Sequence, residues 1–394
     1  MKKVFKRLLI LTTILLIVAA GLYLVLQPLW ELGKLPAYKG SINFKWQYKL
    51  QDSSKKNIII IADNDGTEMF DLMSPFYLFN ATQKANVYVI SEFKAPIVLA
   101  KGVFILPQLS FSEVDSLKIK PDVIVIPNQS RRVSESQKPA TVKWIKDHYL
   151  PSTIILSICD GSATAAATGI YNGKALTTHS SDLDELKKKY PKPIWLKNIS
   201  VTNSGNLYST AGVSNATEGS LVVINKLFGS EVMKMVKNEV HYPHEEIKMD
   251  HKSYVLNFAA ICIGIKKIVF EKNKRIGVLL QNNMNEFELA SLLDCYVRTA
   301  PASIQTIVSN GTSVISKYGL TLLPTNNFNK LNFDEIHVLM PEVFKEKDEA
   351  LFRNCAIIKY DQFPEYPIDL HLKRIKNLYG SKFQNMVKLM LDYN

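Results

Sequence analysis

The sequence predicts an α/β fold with a mainly parallel sheet, built twice, behind a single N-terminal transmembrane helix. Three observations carry that reading. Short β-branched runs alternate with helical stretches, the pattern of strands joined by crossover helices. Blocks of sequence recur at a fixed offset of 217 residues. A basic start precedes an apolar run long enough to cross a bilayer.

The chain holds 394 residues, 47% of them hydrophobic, enough for two domains with a core each. Lys and Arg number 48 against 36 Asp and Glu, a net charge of +12. The basic residues fall in short groups (Arg131-Arg132, Lys187-Lys188-Lys189, Lys272 with Lys274-Arg275), without an aromatic-interleaved stripe. No nucleic-acid partner is expected. The four cysteines, at 159, 262, 295 and 355, are too scattered for a disulfide scaffold, and no Cys/His cluster has zinc spacing. Neither metal nor cofactor is expected.

Residues 1–30 read as a membrane anchor. Lys2, Lys3, Lys6 and Arg7 precede the apolar run Leu8–Leu29, which Thr12, Thr13, Gly21 and Gln27 interrupt. Tyr23 and Trp30 suit the far interface. The charge bias holds the N-terminus in the cytoplasm and sends the rest outward. The expected location is therefore the cell membrane, single-pass, with the domains extracytoplasmic and the bilayer as a partner. A cleaved signal peptide is the rival reading, because Ala19-Ala20-Gly21 are small. Residues 31–56 read as a polar tether.

The first domain spans 57–245. Asn57–Ala62 (NIIIIA) is an all-apolar, β-branched run, the mark of a strand buried on both faces. A turn at Asp63–Gly66 leads into a helix through Phe79. Further strands are predicted at Val87–Ser91, Val103–Leu106, Val123–Ile126 and Ile154–Ile158, with helices at Thr141–His148, Gly161–Thr168 and Glu218–Phe228.

The repeat defines the rest. Ile59–Leu72 (IIIADNDGTEMFDL) matches Ile276–Leu289 (IGVLLQNNMNEFEL), and Leu99–Phe111 matches Ser316–Phe328 at the same offset. With slight slippage, Asp122–Pro127 meets Ile336–Pro341, and Ile224–Lys237 resembles Ile375–Lys388. Residues 274–394 are thus predicted to be a shorter, degenerate copy. The connector, 246–273, contains Tyr254–Ile265, read as a helix packing between the domains, or alternatively as an interfacial or spanning segment.

One segment carries chemistry. Ile154–Ile158 runs through Cys159-Asp160-Gly161-Ser162 into an Ala/Thr-rich helix. A strand running straight into a helix exposes the junction residue above the sheet edge, where helix N–H groups lower a thiol pKa and stabilise an oxyanion. Gly161 and its small neighbours allow close helix–strand approach. Cys159 is therefore expected to be the reactive thiol. Asn172-Gly173 signals a turn that returns His179 toward it, in reach to move a proton. The competing readings are a buried inert cysteine and a solvated histidine.

The run SICDGSATAAATGIYNGKALTTH resembles the DJ-1/PfpI superfamily, especially the branch that supplies ligand-type domains of AraC-like regulators. Asp71-Leu72 with Pro75, Ala211-Gly212-Val213-Ser214 and Val240-His241-Tyr242-Pro243-His244 extend the resemblance over about residues 57 to 245. It implies a flavodoxin-like three-layer sandwich and a cysteine-centred pocket. By this resemblance Cys159 is the nucleophile or oxidation-sensitive thiol, and Asp71 is the acid bonded to it, with Glu68 the alternative. His179 is the histidine near the thiol, and the Asp160 N–H is half of an oxyanion pocket. Asn128-Gln129 stand where the family often has Gly-Gly or Gly-Ser, and Asp160 is often small or Thr; both departures oppose efficient acyl chemistry. The expected pocket therefore comprises Cys159, His179, Asp71 and Asp160, with Glu68, Asn128, Gln129 and Gly161 lining it. In the second copy Tyr360 falls at the cysteine position, only Glu288 echoes Asp71, and no helix-turn-helix follows.

Three functions compete. The first is cysteine-dependent hydratase- or hydrolase-type chemistry on a small electrophile. The second is a non-catalytic small-ligand or redox sensor using the same pocket, and the third a membrane-tethered scaffold. A small molecule is the expected partner, and a homodimer is compatible with the sequence.

Overall fold

The computed structural model describes residues 5–7, 9–16, 19–21, 23, 35–40, 46, 51–100, 102–129, 135–326, 332–360 and 364–393. Much of the expected anchor, with Arg131 and Arg132, lies outside the described residues. Those described between residues 5 and 23 are helical, and among the described residues no helix is long and apolar enough to cross a membrane.

The N-terminal unit contains β1 (Lys56–Ile61), β2 (Ala85–Ser91), β3 (Ile97–Leu99), β4 (Val103–Leu106), β5 (Leu109–Ser110), β6 (Val123–Ile126), β7 (Ile154–Ser157), β8 (Ala175–Leu176), β9 (Ile194–Trp195), β10 (Val201–Ser204) and β11 (Leu207–Thr210). Seven of these form one sheet in the order β10-β11-β7-β6-β1-β2-β5, parallel except for β10. The all-apolar reading of β1 is met in full, since Ile58, Ile59, Ile60 and Ile61 are all completely buried. Alternate residues feed opposite layers: Ile58 and Ile60 join the core under the helices Met69–Ala81 and Ala216–Phe228, while Ile59 and Ile61 face Trp144, Ala165 and Tyr171. The sheet is thus covered on both sides.

The C-terminal unit contains β12 (Arg275–Leu280), β13 (Ser303–Val308), β14 (Val314–Ile315), β15 (Thr321–Leu323), β16 (Glu335–Val338) and β17 (Ala356–Lys359). Its parallel sheet runs β13-β12-β16-β17, the order of β2-β1-β6-β7 in the first unit. The helix Glu286–Val297 follows β12 as Met69–Ala81 follows β1.

The two units pack about a pseudo-two-fold axis. β4 pairs antiparallel with β15, placing Phe104 opposite Leu323, Ile105 opposite Leu322 and Leu106 opposite Thr321. Each of these pairs is the image of another under the 217-residue offset, with Ile105 and Leu322 on the axis. Phe70 and Phe287, also related by that offset, meet edge to face at 5.1 Å. Leu35, Tyr38 and Trp46 from the expected tether pack against Val98, Phe104, Leu106 and Leu323 on this shared sheet, so the segment is partly docked rather than a simple spacer.

The connector helix forms at Phe258–Phe270, later than predicted, because Asn257 caps it by accepting from the Ala260 N–H at 2.9 Å. It does not sit sandwiched between the units. Ala260 and Lys267 face inward, whereas Phe258, Ile261, Ile265, Val269 and Phe270 are exposed.

Candidate functional site

The elbow forms as the residue pattern requires. β7 is buried along its length, the chain turns at Cys159 with φ +52°, and the helix Gly161–Ala167 begins two residues later. That left-handed conformation is uncommon for a residue with a side chain and marks a tightly constrained junction. A Cβ on Gly161 would lie 2.0 Å from the Ile126 carbonyl oxygen, so only glycine lets the helix approach β6. The Cys159 N–H donates to Thr210 Oγ1 at 3.4 Å, and Thr178 Oγ1 lies 3.2 Å from the Cys159 carbonyl oxygen and 2.7 Å from Asp160 Oδ1. Two threonines thus hold the elbow. Sequence reasoning passed over Thr210 and used Thr178 only as part of the Thr-Thr-His motif.

Asp71 lies in the first turn of its helix and is completely buried. Its Oδ2 accepts the Asn128 N–H at 3.1 Å, and its Oδ1 has no hydrogen-bond partner. Glu68 caps the same helix through the Met69 N–H, and its own N–H donates to the Asn128 carbonyl at 2.8 Å. Of the two acids, Asp71 acts on the thiol more strongly than Glu68. The Asn128 N–H, expected near an oxyanion pocket, is committed to Asp71. Gln129 is buried, with Oε1 3.4 Å from Thr164 Oγ1 and Nε2 unpartnered.

The electrostatics run against the low-pKa thiol expected of an elbow. Cys159 is 2% exposed. Burial first, and then Asp71, Asp160 and Glu68, push its thiol well above the usual value; the Asp160 N–H pulls weakly the other way. Asp71 is itself held well above the carboxylate range by burial and by Glu68, and Asp160 by burial and Asp182. A short helix N-terminus does not offset three neighbouring acids.

His179 is engaged by its own neighbours rather than bonded to the thiol. Its Nδ1 lies 2.7 Å from Ser181 Oγ and 3.9 Å from an Asp182 oxygen, and among the described residues it makes no hydrogen bond to Cys159 or Asp71. Asn172-Gly173 does form a turn, but the chain then continues as β8, paired in parallel with β9, rather than as a returning hairpin.

The second unit completes the site with residues that no local signal marks. Arg298 joins Glu68 Oε1 to Asp294 Oδ1, each at 2.9 Å, and Asp294 Oδ2 accepts the Phe70 N–H at 3.1 Å. Asp392, near the C-terminus, accepts from Ser180 N–H at 3.1 Å and Ser180 Oγ at 2.8 Å, and lies 2.9 Å from His251 Nε2.

A cysteine on a left-handed elbow at the carboxyl edge of a parallel sheet, with a buried acid on the neighbouring helix, defines the N-terminal unit as an α/β domain with a cysteine-centred site. Residues 55–226 match the DJ-1/PfpI family, and this unit is a domain of that superfamily. An isonitrile hydratase of Pseudomonas putida is 22% identical over 175 residues, covering 44% of this chain and 74% of its own. The Drosophila melanogaster protein dj-1beta is 27% identical over 186 residues, covering 46% of this chain and 95% of its own. Among solved structures, Schizosaccharomyces pombe DJ-1 aligns with a TM-score of 0.42 at 21% identity, over 48% of this chain and all of its own.

Proposed function

We propose that the chain is a membrane-anchored sensor, in which the Cys159 pocket of a DJ-1/PfpI-type domain responds to a small ligand or to oxidation without turnover. The observation that carries this reading is the trio of acids, Asp71 and Glu68 buried and Asp160 half-buried, around a protonated, 2% exposed thiol. A protonated thiol is a poor nucleophile, and among the described residues no base is hydrogen-bonded to it. The committed Asn128 N–H and the outward engagement of His179 support the same conclusion.

A second reading has its own support. The likeness to isonitrile hydratase, together with an elbow cysteine beside a buried acid, favours hydratase-type chemistry on a small electrophile. Asp71, whose carboxyl burial and Glu68 hold above the carboxylate range, would then be the proton donor. A screen of small electrophiles with wild type and Cys159→Ala separates the two. Ligand-dependent stabilisation without turnover supports the sensor, whereas turnover lost in Cys159→Ala sinks it and selects the enzyme.

The anchor belongs to the same proposal. Supporting it are the run Leu8–Leu29 and the exposure of Leu9, Ile10, Leu11, Ile14, Leu15 and Leu16. The apolar outer face of the helix Phe258–Phe270 would rest at the membrane surface. Release of the protein into the soluble fraction on lysis at low salt would defeat the anchor. We further infer that residues 274–394 are a degenerate copy, and that its pseudo-two-fold packing takes the place of a homodimer partner.

A further inference from the structure

A cavity of about 390 Å³ lies away from Cys159, between the two units. Tyr77 and Glu239 of the first unit and Glu288, Lys317, Tyr360 and His371 of the second line it. Glu288 is the 217-residue counterpart of Asp71, and Tyr360 follows β17 at the position that Cys159 holds after β7. The cavity is therefore the second unit's equivalent of the cysteine site.

The polar groups in it are unequally satisfied. Lys317 Nζ donates to Tyr77 Oη at 3.0 Å and to Glu239 Oε1 at 2.9 Å, so that cation and that acid neutralise each other. Tyr360 Oη lies 2.7 Å from His337 Nδ1, whose Nε2 is 3.1 Å from Glu335 Oε1, a chain that points into the core. Two groups remain. Glu288 accepts only from Asn285 Nδ2, at 3.1 Å, and no cation lies within ion-pair distance of it among the described residues. His371, 1% exposed, has an Nδ1 with no partner. A carboxylate outside ion-pair distance of any described cation accepts hydrogen bonds, with the Lys317 ammonium acting on it only through space, and so does an imidazole nitrogen that carries no proton. Their complement is a ligand carrying N–H donors and positive charge, while Phe287, Leu339 and Leu370 offer an apolar wall to an alkyl portion.

We propose that this cavity binds a small organic amine, with Glu288 pairing the ammonium group and His371 accepting a second N–H. The proposal is independent of what Cys159 does. Burial holds Glu288 above its ordinary value, and an ammonium bound beside it favours the charged carboxylate.

The test is calorimetric titration of the full chain in detergent with ethanolamine, putrescine and glucosamine, and with acetate and phosphate as anionic controls. Saturable binding of an amine is expected. It should weaken at least about tenfold in Glu288→Gln and in His371→Phe, the loss of one charge-assisted contact. Leu370→Trp fills the cavity and should abolish binding while leaving cooperative unfolding intact, which keeps the test decisive where His371→Phe does not fold. The proposal is overturned if no amine binds, if Glu288→Gln binds as wild type does, or if the anions bind more tightly through Lys317.

Discussion

The two halves of the molecule place the same position of the same fold in opposite states. At the first site Asp71, Asp160 and Glu68 crowd a buried thiol, and Arg298 and Asp294 of the other unit close the perimeter. At the second, Tyr360 replaces the thiol, Glu288 is held by a single hydrogen bond from Asn285, and a cavity of about 390 Å³ opens. The axis makes each unit the wall of the other's site: position 294 supplies a carboxylate to the first, and its counterpart Tyr77 supplies a phenol to the second. What each pocket contains is thus decided as much by the neighbour as by the unit that owns it. This follows from the packing of the helices Met69–Ala81 and Glu286–Val297, which places offset-related residues face to face.

The comparison breaks most visibly at Arg298. Its guanidinium satisfies Glu68 and the 1% exposed Asp294 together. Arg298→Met should cost about 3–5 kcal/mol by leaving a buried acid uncompensated, measured by urea unfolding. The triple replacement with Glu68→Gln and Asp294→Asn should recover most of that loss; equal instability of single and triple variants would show that packing, not charge, joins the units. Next in size is Asp392→Ala, expected to cost about 1–3 kcal/mol because Ser180 and His251 lose their shared buried acceptor. Gly161→Ala should cost a similar amount, about 1–3 kcal/mol, through the clash with Ile126. Gly161→Ala should also raise the labelling rate of Cys159 by displacing the elbow. In wild type, the exposed Cys262 should be alkylated faster than Cys159 at pH 7. Faster labelling at Cys159 would mean that the acids do not govern its thiol.

Most of the architecture was legible because it is written locally. The isoleucine run of β1, the small residues after Cys159 and the offset between the halves each encode geometry within a short window, and the strand orders agree with them. The chemistry was less legible. The sequence marks Cys159 as an elbow residue but cannot show that three acids surround it or that the Asn128 N–H is already taken. His179 follows a turn that forms, yet Ser181 captures its ring before it reaches the thiol. Arg298, Asp294 and Asp392 stand far along the chain from the groups they bond, and only the axis between the units brings them there. Burial of the connector helix was expected from its apolarity; the structure instead presents that apolarity outward.

The smallest expected effect is also the most specific, because the surroundings of the two sites should respond to pH with opposite sign. Asp294, beside the first site, is raised from 3.8 to about 7 by burial and by Glu68. Below about pH 4 it is protonated in both folded and unfolded chains. As pH rises toward 7 the unfolded chain releases that proton while the native one keeps it, so this contribution to stability falls across the window. His371, at the second site, is lowered from 6.5 to about 3 by burial and by His337. It is neutral in both states above its unfolded value, and below that value the unfolded chain gains a proton the native one refuses. Its contribution is therefore lost as pH falls. Urea midpoints between pH 4.5 and 6.5 should separate the two by slope rather than by level, since each substitution also changes contacts. Asp294→Asn should turn the slope of stability against pH more positive, and His371→Phe more negative, each by at most about 1.4 kcal/mol per pH unit. Shifts of the same sign would mean that the two sites are not electrostatically distinct, and the contrast between a closed acidic pocket and an open neutral one would fail with them.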